Sequence, residues 1–98
     1  MAEVTLHPLA QDEYELAVRW YQSRNRRAGE RLARAIERLL VEIGRHPERY
    51  SWYDDEHREA SVAHYPYSLV YKMLASGSVL VVAVAHASRE PGFWQGRA

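Results

Sequence analysis

The sequence predicts a small α+β domain in which a helical hairpin packs on one face of a mostly antiparallel, twisted sheet. Three observations support this fold class. Apolar residues recur at three- and four-residue steps through the first half, β-branched and aromatic runs of strand length fill the second half, and a short alternating segment precedes the helices. The expected element order is therefore β-α-α-β-β-β. A chain of 98 residues has no room for a second core, so residues 1–98 are expected to form a single domain.

The first half predicts one strand and two helices. Residues 3–6 alternate polar and apolar side chains and predict the strand, which ends where Pro8 favours the first turn of a helix. The apolar stripe of that helix is formed by Leu9, Ala10, Tyr14, Ala17, Val18 and Tyr21. A second helix is expected over residues 26–45, with Asn25 as its N-cap and Pro47 just beyond its end. The short connection between the helices predicts an antiparallel hairpin.

The second half predicts three strands. Residues 59–64 alternate weakly, and the β-branched and aromatic runs at 67–74 and 79–87 are joined by a hairpin turn at 75–78. Residues 48–57 show no period and are expected to form a loop with aromatic anchors. The last strand is apolar on both faces, which places it inside the sheet under the helices. The opposite face of the sheet is expected to be concave, partly covered and the location of function.

Composition excludes several classes of site. The chain has no cysteine, which rules out disulfides and thiolate zinc sites. Its five histidines lack metal-ligand spacing, and neither a glycine-rich phosphate loop nor a G-x-S-x-G motif occurs, so no metal and no cofactor are expected. No apolar run suits a membrane span or a signal peptide, which favours a soluble, cytoplasmic protein without membrane contact. Thirteen basic and thirteen acidic residues give zero net charge, which argues against strong non-specific binding to nucleic acid.

Candidate functional residues lie at the strand ends of the C-terminal half. His86 is the best candidate for proton transfer because histidine side chains titrate near neutral pH. Alternatively, it makes a hydrogen bond that fixes the tail where the strand ends. Arg58 and Arg89 either converge on an anion, with His86 completing a catalytic set, or pair with carboxylates of this chain or of a partner. Trp94 and Phe93 are expected to fold back as a hydrophobic plug, and base stacking is the less favoured alternative.

Five segments occur in an order and spacing typical of a known superfamily. They are Trp20-Tyr21, His46-Pro47, Arg58, residues 65–71 (YPYSLVY) and the closing HASREPGFWQGR, which carries His86, Arg89, Pro91, Trp94 and Arg97. Over nearly the whole chain this pattern resembles the RelE/ParE superfamily, the toxins of bacterial type II toxin–antitoxin systems. The resemblance implies a small toxin that an antitoxin neutralises in a hetero-oligomeric complex. One branch of the superfamily cleaves mRNA in the ribosome, and another inhibits DNA gyrase.

Three positions separate this chain from the ribonuclease branch. Ser68 stands where that branch has an arginine, and Glu59 and Ser61 stand where it has lysines. Phosphoryl transfer without a metal depends on positioned positive charge, so these residues favour growth inhibition through a protein target such as DNA gyrase. The alternatives are a ribosome-dependent, metal-independent mRNA endoribonuclease that uses the catalytic candidates above, and a decayed toxin or binding module without activity.

The resemblance also implies an antitoxin segment that folds on binding. This segment is expected either as a helix beside the helical hairpin or as a strand added to the sheet. Arg58, Arg89 and Arg97 are expected to pair with acidic antitoxin residues, with Trp94 near the contact. Both forms of binding predict the same partner, and the sequence leaves open which one occurs.

Overall fold

The computed structural model of the protein describes residues 1–97. The elements along this part of the chain are β1 (Val4–Leu6), α1 (Pro8–Arg24), α2 (Arg26–Arg45), β2 (Ser51–Trp52), β3 (Arg58–Ser61), β4 (Tyr67–Met73) and β5 (Val79–His86). The strands form one sheet in the order β1-β5-β4-β3-β2. β1 runs parallel to β5, and the other neighbours are antiparallel. The predicted α+β class, the helical hairpin and the position of β5 inside the sheet are confirmed.

The loop predicted over residues 48–57 is wrong at Ser51–Trp52, which pair with β3 as the edge strand β2. The cause is a side chain on the neighbouring strand. The Arg58 guanidinium donates a 2.7 Å hydrogen bond to the carbonyl of Tyr50 and a 3.2 Å hydrogen bond to that of Glu48. It also lies 3.8 Å from the centre of the Trp52 ring. A strand of two residues held by such contacts is too short to leave a periodic pattern in the sequence.

The helical hairpin is built at Asn25 and Gly29. The Asn25 side chain accepts a 2.9 Å hydrogen bond from the backbone N–H of Arg27, which caps α2 as predicted. Its own backbone N–H donates to a carbonyl in the last turn of α1, so one residue ends the first helix and begins the second. Gly29 lies so close to α1 that a Cβ there would be 2.8 Å from the Cβ of Gln22. The absence of a side chain at this position therefore sets the distance between the helices.

The helices cover one face of the sheet with a continuous apolar core. Its fully buried members are Ala10, Leu32, Ile36, Ile43, Leu69, Tyr71, Val79 and Val81. On α2 these residues recur at helical spacing, and the opposite face of that helix is charged. No helix within residues 1–97 combines the length and hydropathy that a membrane span requires.

A β-bulge in β5 supplies a second, smaller cluster on the other face of the sheet. Val70 pairs with Ala83 and the next residue of β4 pairs with Val81, so Val82 is an extra residue in β5. Val82 and Ala83 therefore both contribute to the cluster on the face away from the helices, together with Val70 and Trp94. The sheet face that was expected to be partly open is covered at this point by the C-terminal tail.

The tail is held by aromatic contacts and by one carboxylate. The Trp94 ring is 2% exposed and lies edge-on to Tyr53, 4.9 Å between ring centres. The ring of His57 lies 4.6 Å from it. Asp54 accepts hydrogen bonds from the His57 ring at 2.9 Å and from Gln95 Nε2 at 3.1 Å. The segment after β2 and the tail after β5 are therefore packed into one unit.

Candidate functional site

A groove of about 460 Å³ runs between α1 and the C-terminal end of β5, and we call it the α1–β5 groove. Its walls are lined by Glu13, Leu16, Ala17, Trp20, Tyr21, Pro66, Tyr67, Val84, His86, Ser88 and Arg89. Leu16 and Trp20 are 60% and 51% exposed. Large apolar side chains that stay exposed next to each other and are rimmed by polar groups mark a binding surface.

The exposed apolar side chains follow one line along α1. Leu9, Leu16 and Trp20 are spaced by seven and four residues, which puts them on the same side of the helix. Trp20 is also held in place, because its ring lies 5.1 Å from that of Tyr21 and the Arg24 guanidinium lies 3.6 Å from its centre. The groove thus presents a positioned aromatic side chain to a partner.

The floor of the groove is the edge of β5 beyond the end of β1. β1 pairs with β5 only at residues 79–81. Beyond them, the ion pair of Glu13 and Arg97 makes the hydrogen bonds to the backbone of β5. Arg97 Nη1 donates a 2.9 Å hydrogen bond to the carbonyl of Val82, and Glu13 Oε1 accepts a 3.0 Å hydrogen bond from the N–H of Val84. The carboxylate and the guanidinium join at 2.9 and 3.1 Å, with about one seventh of each side chain exposed. The Val82 carbonyl and the Val84 N–H, to which a neighbouring strand would otherwise hydrogen-bond, are therefore bound by the side chains of Arg97 and Glu13.

His86 and Arg89 form the polar rim of the groove. His86 Nδ1 accepts a 3.0 Å hydrogen bond from the N–H of Ser88, so in the neutral ring the proton lies on Nε2. The imidazole ring lies edge-on to Tyr67 at 5.0 Å, and burial, with the neighbouring Tyr21, raises the pKa of the Tyr67 phenol. The Arg89 guanidinium lies 3.8 Å from the centre of a phenylalanine ring and makes no salt bridge within residues 1–97. The rim can therefore accept a carboxylate or a phosphate.

Arg58 lies away from the other two catalytic candidates. It pairs across the sheet with Tyr71 on β4. His86 pairs with Tyr67 on the other side of the same strand, four residues or about 13 Å along it. The structure therefore brings His86 and Arg89 together in one groove and does not bring Arg58 to them. In this register Arg58 does not lie beside Arg89, so the two do not converge on one anion as predicted. The Arg58 guanidinium contacts the segment that leads into β2 instead.

Two residues predicted to contact an antitoxin point into the fold. Trp94 is buried in the cluster behind the sheet, and the Arg97 side chain is 13% exposed and paired with Glu13. Among the four arginine and tryptophan candidates, Arg89 is the one that is exposed in the α1–β5 groove. Contact of Trp94 or Arg97 with a partner would require the tail to move.

Little positive charge surrounds Ser61 and Ser68 on the sheet face behind the groove. Ser61 pairs directly with Ser68, so two uncharged side chains occupy neighbouring strands. A cavity of about 190 Å³ beside them is lined by Glu59, Glu90 and Arg89 among its charged groups, two acids against one base. Residues 1–97 also contain no cluster of three His, Asp or Glu side chains placed to hold a metal ion. In the described part of the chain, the surroundings of Ser61 and Ser68 therefore hold no cluster of positive charge comparable to the one that the ribonuclease branch is expected to use.

The residues that sequence reasoning missed are those of α1. In the sequence, Trp20 stands out only as part of the pattern that resembles the superfamily, and Glu13 stands out by no pattern of its own. A signal was present, because Leu16 and Trp20 fall outside the apolar stripe that faces the core. Apolar residues outside that stripe are expected to be exposed to solvent, and here the exposed side chains of Leu16 and Trp20 line the α1–β5 groove.

Two comparisons with known proteins agree with this architecture. The sequence profile of a family described as "ParE toxin of type II toxin-antitoxin system, parDE" matches residues 4–91. A solved structure described as "Chromosomal ParDE TA system from P. aeruginosa" superposes with a TM-score of 0.65, covering 90% of this chain and 98% of that chain at 8% sequence identity. At this identity the likeness bears on the fold alone. No curated protein gives a significant sequence match.

Proposed function

Because the chain belongs to the ParE toxin family of type II toxin–antitoxin systems, we propose that it inhibits growth and that a cognate antitoxin neutralises it by binding in the α1–β5 groove. The observation that carries the proposal is the exposure of Leu16 and Trp20 beside the guanidinium of Arg89, which makes no salt bridge with the described residues. An antitoxin segment with an apolar face and acidic flanks matches this surface. Such a segment orders when it binds, as short disordered segments do.

The ion pair at the edge of β5 favours a helical antitoxin segment over an added strand. A strand would have to displace Glu13 and Arg97 from the backbone groups of Val82 and Val84 before it could pair with them. Breaking a mostly buried ion pair costs about 3 kcal/mol. A helix that lies against Leu16 and Trp20 leaves these contacts intact.

The affinity for the antitoxin tests the groove directly. Trp20→Ala is expected to weaken binding by about 2 kcal/mol, or about 30-fold, because tryptophan side chains at the centre of an interface are frequent hot spots. The measurement is isothermal titration calorimetry with the cognate antitoxin. Val41→Ala is the matched control, since Val41 is 41% exposed on α2 and lies outside the groove. Unchanged affinity in Trp20→Ala would mean that the antitoxin binds a different surface of the protein.

For the cellular target we favour a protein such as DNA gyrase. The support is chemical: Glu59, Ser61 and Ser68 bring no positive charge to the three positions of the sheet where the ribonuclease branch is expected to carry it for metal-free RNA cleavage. The second candidate is ribosome-dependent mRNA cleavage, which the proximity of His86 and Arg89 in the groove favours. His86 Nε2 would then transfer the proton, and the guanidinium would hold the phosphate.

One induction experiment separates these targets. Brief expression of the toxin is followed by mapping of mRNA 5′ ends and by an assay of DNA supercoiling. Lost supercoiling with intact mRNA is the expected result. Codon-phased cuts that disappear in His86→Ala and Arg89→Ala would establish the ribonuclease instead. Folded protein that leaves growth unaffected would favour a binding module without toxic activity.

A further inference from the structure

The first half of α2 carries a row of arginines on one side of the helix. Arg27, Arg31, Arg34 and Arg38 follow each other at steps of four, three and four residues, which keeps them on one face. All four are exposed. They line a groove of about 740 Å³ between α2 and the turn before β4, which we call the arginine groove. It shares no residue with the α1–β5 groove.

Most of this positive charge is not neutralised within the described part of the chain. Glu30 lies 3.8 Å from Arg34, and both side chains are more than half exposed, so the pair is weak. Glu37 is engaged by the Tyr14 hydroxyl, which donates to it at 3.0 Å. Within residues 1–97, Arg27, Arg31 and Arg38 make no salt bridge. Three neighbouring guanidinium groups are thus free to bind an anionic partner.

Zero net charge conceals a separation of charges along the chain. Residues 19–38 contain seven arginines and two glutamates, whereas residues 54–59 contain four acids and one arginine besides a histidine. Binding to a polyanion depends on the cations at the contact, because each one releases counterions there. The neutral composition therefore does not exclude a polyanion at the arginine groove.

We propose that the arginine groove binds the phosphate backbone of a double-stranded nucleic acid. The row spans about 16 Å, or about five base pairs of duplex. Single strands are bound by stacking on free aromatic rings. The aromatic residue of the groove, Tyr65, is instead packed edge-on against Tyr21 at 5.6 Å. A protein partner would require a buried apolar anchor, and the exposed large apolar side chains of the described residues lie outside this groove.

The wall opposite α2 is fixed in shape. His64 adopts a left-handed backbone conformation with φ of 71°, which is uncommon for a residue with a side chain. Two backbone hydrogen bonds hold the turn around it, from Tyr65 N–H to the Val62 carbonyl and from Val62 N–H to the Tyr67 carbonyl. This turn faces the arginines across the groove, so the surface is in place before a partner arrives.

The test is a titration of a fluorescein-labelled 20-base-pair DNA duplex followed by anisotropy. With three to four arginines on phosphates, raising the salt from 50 to 200 mM is expected to weaken binding by about 40- to 150-fold. The triple variant Arg27→Gln, Arg31→Gln, Arg38→Gln is expected to reduce this salt effect to about 3-fold. A second triple variant, Arg19→Gln, Arg49→Gln, Lys72→Gln, removes the same charge away from this face of α2 and is expected to bind like the unmodified protein. Circular dichroism confirms that both variants fold.

Each outcome bears on the proposal. Loss of duplex binding confined to the groove variant supports it, and an RNA duplex in place of DNA shows which backbone is preferred. Equal losses in both triple variants would reduce the effect to overall charge and overturn it. The absence of duplex binding at 50 mM salt would also overturn it. Tighter binding of a single strand or of an oligoglutamate peptide, lost in the groove variant, would assign the groove to another partner. Antitoxin affinity, measured in parallel, keeps this test separate from that of the α1–β5 groove.

Discussion

Glu13 and Arg97 make the hydrogen bonds at the edge of β5 that a neighbouring strand would otherwise make, although the two residues are 84 positions apart in the chain. Arg97→Ala would leave the carboxylate partly buried and the Val82 carbonyl without its donor. The free energy of unfolding is expected to fall by about 3 kcal/mol, measured by urea denaturation. The double variant Arg97→Ala, Glu13→Ala is expected to lose less unfolding free energy than the two single variants together. Each single variant leaves the remaining charged group without its partner, and the double variant does not.

A surface pair provides the control for this residue. Arg45 and Glu42 lie 3.8 Å apart with about half of each side chain exposed. Arg45→Ala is expected to change the free energy of unfolding by about 0.5 kcal/mol or less. Similar losses in Arg45→Ala and Arg97→Ala would contradict a special role for the edge of β5.

At the scale of elements, the approach of α1 to α2 depends on Gly29. In an open helix, Gly→Ala stabilises by about 1 kcal/mol because alanine loses less backbone entropy. Here the new Cβ would lie 2.8 Å from the Cβ of Gln22 and 3.1 Å from its backbone nitrogen. Gly29→Ala is therefore expected to lower the free energy of unfolding by about 1–3 kcal/mol, as overpacking does.

Whether Gly29→Ala lowers or raises the free energy of unfolding decides between close packing and a loose hairpin. Thermal or urea unfolding of Gly29→Ala measures this change. Asn25→Ala tests the other half of the hairpin, and a loss of about 1 kcal/mol is expected when the cap of α2 is removed. A more stable Gly29→Ala protein would mean that the helices can separate at no cost.

For the whole molecule, the carboxylate of Asp54 connects the segment after β2 to the tail. Burial acts to raise the pKa of Asp54, but hydrogen bonds from the Glu56 and His57 N–H groups, the His57 ring and Gln95 hold it well below the usual range. A carboxyl group with a lowered pKa stabilises the fold above its unfolded pKa of about 3.9. That stabilisation is lost as the pH falls through the folded pKa, so acid should loosen the tail first.

The comparison of Asp54→Asn with Asp55→Asn tests this linkage. The free energy of unfolding is measured in urea at pH 7 and at pH 2.5. The unmodified protein and Asp55→Asn are expected to lose more stability in acid than Asp54→Asn, which has no carboxylate to protonate at this position. Identical pH dependence in all three proteins would show that the tail is held by apolar packing of Trp94 alone.

Part of this architecture could be predicted from local patterns. The bounds of α2, the Asn25 cap and the position of β5 inside the sheet follow from periodicity, capping chemistry and an apolar run, which each depend on neighbours within a few residues. The same patterns placed Glu59, Ser61 and Ser68 on the strands, and the resemblance to the superfamily implied that positive charge is missing at these positions. The order of the matched segments was sufficient to indicate the RelE/ParE superfamily, and the family match narrows this to the ParE toxins.

What the sequence by itself determined is therefore the superfamily and the elements other than the edge strand β2; the tertiary structure decided which side chains meet. The register of β3, β4 and β5 separates Arg58 from His86 and Arg89, and it lets Arg58 build the strand β2. The packing of α1 leaves Leu16 and Trp20 exposed, and the fold of the tail buries Trp94. These outcomes depend on contacts between residues far apart in the chain. Such contacts leave no periodic signature, because their free energy depends on the geometry of the assembled fold.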